Sequence, residues 1–190
     1  MAVDKDWQVI KVKNLIDVEN FVEDPPQWSS GGRKYFNTGS YIEESQEGSV
    51  IRGQTFYRYR YPKLKSLAFK IKSFLIDLLE EDLIETYWFD RFYFAGSSML
   101  PHTDRPACEI SVSLHISNTS EYSFPLCFKS KSQESSIITN PGDAIIYKGI
   151  DVKHWRDVLN GDSVTYYHQA FFHYVRLDGH YVEYAWDAAS

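Results

Sequence analysis

The chain predicts a mainly β architecture with packed helices (α+β), a jelly-roll or barrel decorated by helix on one face. Three observations lead there. Aromatic residues fill 16% of the 190 positions, and such side chains fit a pleated, half-buried surface. From residue 85 onward, apolar residues recur at every second position in several short runs separated by turn residues. Only the stretch after Pro62 carries a helical period.

Taken in order, residues 7–23 alternate loosely (Trp7, Val9, Ile10, Val12, Leu15, Ile16) and predict an outer strand followed by a short helical turn. Residues 23–53 are rich in Pro, Gly, Ser, Asn and Gln, a composition of a long loop that is either a functional lid, with Trp28, Tyr35, Phe36 and Tyr41 as candidates to cover a pocket, or a plain loop pinned by those aromatics. Tyr57-Arg58-Tyr59-Arg60-Tyr61 predicts a short extended segment ended by Pro62. Leu64, Leu67, Ile71, Phe74 and Leu78, at spacings of three and four, predict a helix ending near Glu80-Glu81-Asp82, its apolar stripe packed on a sheet.

The period then becomes two. Tyr87, Phe89, Arg91 and Tyr93 share one face and Trp88, Asp90, Phe92 and Phe94 the other. Glu109, Ser111, Ser113 and His115 alternate with Ile110, Val112, Leu114 and Ile116, which predicts a half-buried strand. Further strands are predicted over 123–128, 136–139, 144–147, 152–156 and 164–175, with turns at Asn140-Pro141-Gly142-Asp143 and Leu159-Asn160-Gly161-Asp162. The length suits a single domain: 1–84 with N-terminal strands, loop and supporting helix, 85–175 as the jelly-roll core, and 176–190 as a C-terminal extension.

Composition narrows the function. A net charge of −6 and the lack of a Lys/Arg tract argue against a nucleic-acid partner. No apolar run approaches the ~20 residues of a membrane-spanning helix, and the first residues lack the apolar stretch of a signal peptide. Cys108 and Cys127 are too few for a disulfide framework, so the expected setting is cytoplasmic, with free thiols.

The chemistry gathers at His102-Thr103-Asp104. Two residues apart on an extended chain, the His and Asp side chains share a face, with Cα atoms ~7 Å apart. They can close on one metal ion, and His154 offers a third ligand. Two His and one carboxylate form the facial arrangement that suits non-haem Fe(II) and leaves positions open. Each residue taken singly also has a plain structural reading, as a hydrogen-bonded surface pair or a core histidine.

Together, Tyr93-x-x-Gly96-x-x-x-x-Pro101-His102-x-Asp104, Pro141-Gly142-Asp143-Ala144 before an apolar strand, and His154 followed by Gly161 and an aromatic strand resemble the Fe(II)- and 2-oxoglutarate-dependent oxygenases, in particular the prolyl 4-hydroxylase-like branch. The resemblance spans about residues 85–175 and extends to an uncharacterised bacterial and phage subgroup. It implies a double-stranded β-helix (jelly-roll, cupin-like). It implies Fe(II) on His102, Asp104 and His154, 2-oxoglutarate as co-substrate, and Tyr93 as a hydroxyl bonded to it. The implied activity is hydroxylation of an unactivated C–H bond of a prolyl residue or amino acid, in a small-molecule or peptide substrate, with release of succinate and CO2.

In one respect the sequence departs from that pattern. The family places Lys or Arg shortly after the glycine that follows the distal His, whereas here Gly161 precedes Asp162-Ser163-Val164. Arg156, on the strand face of His154, is the first replacement for holding the far carboxylate, and His168 is the second; Arg105 and Arg91 suit substrate better. The missing basic residue leaves an alternative from another class, a non-redox cupin-like protein that binds a metal or a carboxylate.

Overall fold

A computed structural model describes residues 3, 6–26, 28–29, 32–33, 41–43, 49–119, 123–130 and 133–187. Among them fourteen strands follow one another: β1 (Val9–Val12), β2 (Trp28–Ser29), β3 (Gly32–Arg33), β4 (Tyr41–Glu43), β5 (Ile51–Arg52), β6 (Thr55–Tyr59), β7 (Leu83–Phe94), β8 (Ser98–His102), β9 (Ile110–Asn118), β10 (Leu126–Ser130), β11 (Gln133–Ile137), β12 (Ala144–Tyr147), β13 (Lys153–Arg156) and β14 (Tyr166–Arg176). One α-helix, α1 (Lys65–Leu79), separates β6 from β7.

Two sheets face each other. The major sheet runs β1-β12-β9-β14-β7-β6-β4 and the minor sheet β11-β10-β13-β8-β5, with every pairing antiparallel. This is the predicted double-stranded β-helix. Between the sheets, Ile51, Met99, Leu126 and Phe128 of the minor sheet pack against Tyr93, Ile145, Tyr147, Tyr167 and Phe171 of the major one.

The major sheet's other face carries α1. Leu64, Leu67, Ala68, Ile71 and Leu75 bury against Trp88, Ile110, Val112, Leu114, Ala170, Phe172 and Tyr174, while Phe74 and Leu78 of the predicted stripe stay at the rim, partly buried. The helix stops at Glu80, whose left-handed φ of 55° closes the last turn through its N–H to Ile76 O.

The sequence reading differs from the structure at β9. A half-buried strand was expected there, yet both of its faces are buried. The minor sheet covers the polar face, so Ser111, Ser113 and His115 point into an enclosed space and not into solvent. Strand β8, the short outer pairs and a kinked 3-10 segment at Val182–Asp187 were also absent from the reading. Tyr35, Phe36 and the side chains of Trp28 and Tyr41, the proposed lid aromatics, lie outside the described residues. Among the described residues, no helix is long and apolar enough to cross a membrane.

Candidate active site

The two histidines of the predicted triad sit on neighbouring strands of the minor sheet. His102 ends β8 and His154 lies in β13, directly opposite each other in the antiparallel register. Their rings are 4.4 Å apart. Asp104, two residues past β8, is held by its backbone N–H, which donates to Gly149 O at 2.9 Å. Its Oδ1 lies 3.5 Å from both His102 Nε2 and His154 Nε2. One donor atom from each of the three lies within 4.8 Å of the others.

The imidazoles are oriented for this. His102 Nδ1 bonds Leu100 O at 2.8 Å, and His154 Nδ1 bonds Val152 O at 3.0 Å. A carbonyl only accepts, so each Nδ1 carries the proton and each Nε2 offers its lone pair inward, the tautomer a metal ligand needs. Tyr147, 4.8 Å from the His154 ring, and Phe128, 6.2 Å away, hold that ring in place. Burial alone would raise the Asp104 carboxyl, but His102 and His154 beside it outweigh that and hold it below the usual carboxylate range. The donor set fits a divalent ion bound on one face with the opposite face open.

Behind Asp104 lies a support absent from the sequence reading. Ser111 Oγ donates to Asp104 Oδ2 at 3.1 Å and lies 3.2 Å from Cys108 O and 2.9 Å from His173 Nδ1. The carboxylate and the carbonyl only accept, so the tautomer that satisfies the cluster has His173 Nδ1–H donating to Ser111 Oγ. Burial holds His173 down to a pKa of about 4, so it is neutral at physiological pH. Oδ2 is thereby occupied and Oδ1 alone faces the histidines. Gly149 was also missed. A Cβ there would overlap Asp104 Oδ2, Cys108 O and Ser111 Oγ, so only glycine lets this turn approach the carboxylate.

Arg156 is buried on the same strand face as His154. Its Nη2 donates to Gln169 Oε1 at 2.6 Å and its Nη1 to Phe124 O, under the rings of Phe124 and Tyr167. Gln169 Oε1 also accepts from Ser113 Oγ at 2.7 Å. Among the described residues no carboxylate pairs with this guanidinium, and Arg156 Nε and Gln169 Nε2 are buried donors with no partner. His115, kept neutral at a pKa of about 4 by burial, adjoins them through Tyr167, with Nε2 unpartnered. Tyr93 is buried on the same inner face, 5.2 Å from the Phe124 ring and opposite Tyr167 in the register.

His168 is not among these groups. Strand alternation turns it to the other face of the major sheet, where it stacks on Phe92 at 3.8 Å and bonds Asp90 Oδ2 at 2.8 Å. Arg58 clasps the same Asp90, and Glu23 joins at 2.6 Å. Arg91 lies on the inner face over Tyr57, Phe89 and Tyr93, and Arg105 stands beside the ligands with its guanidinium over Tyr87.

A double-stranded β-helix enclosing a His-x-Asp…His cluster defines a class of fold and site together. Among solved structures the chain has the fold of a 2-oxoglutarate-Fe(II) oxygenase family oxidoreductase from Burkholderia pseudomallei, at 11% identity and TM-score 0.61, covering 75% of this chain and 76% of that one. It is similar to HygX from Streptomyces hygroscopicus, solved with nickel, 2-oxoglutarate and hygromycin B, at 10% identity and TM-score 0.59 over 90% and 84% of the two chains. A prolyl hydroxylase from Trichoplax adhaerens in complex with a hypoxia inducible factor peptide matches at 11% identity and TM-score 0.58, over 88% and 83%. No protein-family model and no curated protein matches the sequence.

Proposed function

We propose that the protein is a 2-oxoglutarate- and Fe(II)-dependent dioxygenase that hydroxylates an unactivated C–H bond of a small-molecule or peptide substrate. The observation that carries this is Arg156. A buried guanidinium with no acidic partner among the described residues is costly to maintain, and a bound carboxylate would relieve that cost. It shares a strand and a face with His154, so a dicarboxylate could reach it from the metal.

In this reading His102, Asp104 and His154 hold the iron. Arg156 receives the far carboxylate of 2-oxoglutarate, with the Gln169 Nε2 donor beside it, and the Tyr93 hydroxyl bonds the co-substrate. When bound, the iron supplies oxygen activation, with the balance 2-oxoglutarate + O2 + R–H → succinate + CO2 + R–OH. The chain's own part is to orient and to exclude water: Ser111 and His173 fix the Asp104 carboxylate, and the buried rings of Phe124, Phe128, Tyr147, Tyr167 and Phe171 close the interior to bulk solvent.

The non-redox alternative drew its support from the missing basic residue after Gly161; Arg156 in the role of anchor removes that support, and succinate release separates the two readings. Fold likeness to HygX and to the prolyl hydroxylase supports small-molecule and peptide substrates alike. A cytoplasmic setting accords with the two free cysteines, both buried. The test is succinate release in air from protein, Fe(II) and 2-oxoglutarate, screened across amino acids and prolyl peptides. Slow turnover without substrate and faster turnover with one is expected; no succinate under any condition contradicts the proposal.

A further inference from the structure

The C-terminal segment places a carboxylate beside the ligand cluster. Asp187 Oδ1 accepts from Arg105 Nη2 at 2.7 Å, and Oδ2 accepts from the Tyr59 hydroxyl. Each oxygen has a separate donor, the arrangement that recognises a carboxylate. Arg105 directly follows Asp104 in the chain and lies over the Tyr87 ring at 4.7 Å. Tyr87 in turn packs 4.5 Å from the His173 ring and bonds Cys108 Sγ through its hydroxyl at 3.1 Å. Arg105 and Tyr59 are exposed, as His102 and Asp104 are in part, while His154 is buried, so the donors lie on the solvent side of the ligand cluster. From there Tyr59, Tyr87, Phe89 and Phe171 form a continuous run of ring contacts inward, at 5.6, 6.0 and 4.7 Å.

The segment that brings Asp187 there is loosely built. Val182–Asp187 buries no residue, and Trp186 is 54% exposed. Trp186 and Asp187 both adopt left-handed φ, 59° and 55°, a region uncommon for Trp and readily adopted by Asp. Besides packing on β7, β14 and the Pro106–Cys108 turn, the described polar ties at its tip are the Arg105 and Tyr59 bonds and one from Arg60 to the Trp186 carbonyl. A segment held this way opens at low cost.

We propose that Arg105 and Tyr59 form a carboxylate subsite at the mouth of the cleft, that the substrate is a small carboxylic acid with an apolar skeleton, such as an amino-acid derivative, and that Asp187 occupies the subsite until such an acid displaces it. The aromatic run receives the skeleton and points it toward the metal. The assignment of this acid as substrate rests on the dioxygenase reading; its binding does not.

The test is calorimetric titration of N-acetyl-L-proline and N-acetyl-L-prolinamide into Mn(II)- and 2-oxoglutarate-loaded protein, without turnover. Tail release is followed by 19F signals of protein labelled with fluorotryptophan, the Trp186 line being assigned with Trp186→Phe. The acid should bind and shift the Trp186 line, whereas the amide should do neither. Asp187→Asn should tighten acid binding about tenfold by removing the internal competitor, and Arg105→Gln should abolish it. Equal melting temperatures show that both variants are folded. Equal behaviour of acid and amide, silence from both included, or unchanged affinity in Asp187→Asn, overturns the proposal. Absence of succinate release would sink the dioxygenase reading and leave this binding result standing.

Discussion

The two faces of β9 differ in kind although both are buried. Ile110, Val112, Leu114 and Ile116 meet α1 and its neighbours and make a conventional apolar core. Ser111, Ser113 and His115, one residue out of phase, are just as enclosed, yet they carry hydrogen-bonding groups. Burying polar atoms costs free energy unless each finds a partner. On this face several do not: Arg156 Nε, Gln169 Nε2, His115 Nε2 and His173 Nε2 are left over. Along β9 the face toward α1 is apolar and needs no partner, whereas the other face and its neighbours carry buried donors and acceptors that a bound group could satisfy.

Substitutions on the two faces should therefore fail differently. The largest effect is expected at Asp104→Ala, which removes the shared carboxylate and should abolish Mn(II) binding in equilibrium dialysis while the melting temperature of the metal-free protein stays close to wild type. On the apolar face, Leu114→Ala should cost about 2–5 kcal/mol of stability through the cavity it leaves, with metal affinity in the folded protein unchanged; denaturant titration and dialysis together check this.

Arg156→Met should weaken 2-oxoglutarate binding about 100-fold without lowering stability, since it removes a buried charge lacking an acidic partner. A comparable loss of stability would make Arg156 a core residue and erase the contrast. Ser111→Ala frees Asp104 Oδ2 and should weaken metal binding about tenfold. The smallest effect is on pH dependence. His115 and His173 have pKa values depressed to about 4 in the fold, so between that value and the ordinary 6.5 the unfolded chain binds more protons. The contribution of these two histidines to the stability of the metal-free protein should be full above pH 6.5 and fall as pH drops toward 4. His115→Gln should flatten part of that slope in pH-resolved denaturant titrations.

What was legible in the sequence follows from which signals are local. The strand period of two showed that β9 and β7 have distinct faces, and the helical stripe after Pro62 located α1. His102 and Asp104 could be paired by their closeness in sequence, although Asp104 lies past the end of β8 and is placed by its bond to Gly149 O. Arg156 could be placed with His154 by strand phase. That rule, applied to β14, would have turned His168 away from the inner face, since it alternates with Gln169. Ser111 and His173 are 62 residues apart in sequence but adjacent across β9 and β14, and only the sheet register brings them together. The contact of Asp187 with Arg105 left no pattern at all, because it depends on where a short irregular segment lands.

On the reading proposed above, the polar face holds a metal and a dicarboxylate in line. Calorimetric titration of 2-oxoglutarate and of 2-oxobutyrate, which keeps the keto-acid end and lacks the far carboxylate, into Mn(II)-loaded protein tests it directly. Metal-dependent binding of 2-oxoglutarate well above that of 2-oxobutyrate is expected, with the difference lost in Arg156→Met. Binding of 2-oxoglutarate that needs no metal, or that does not distinguish the two acids, would contradict it.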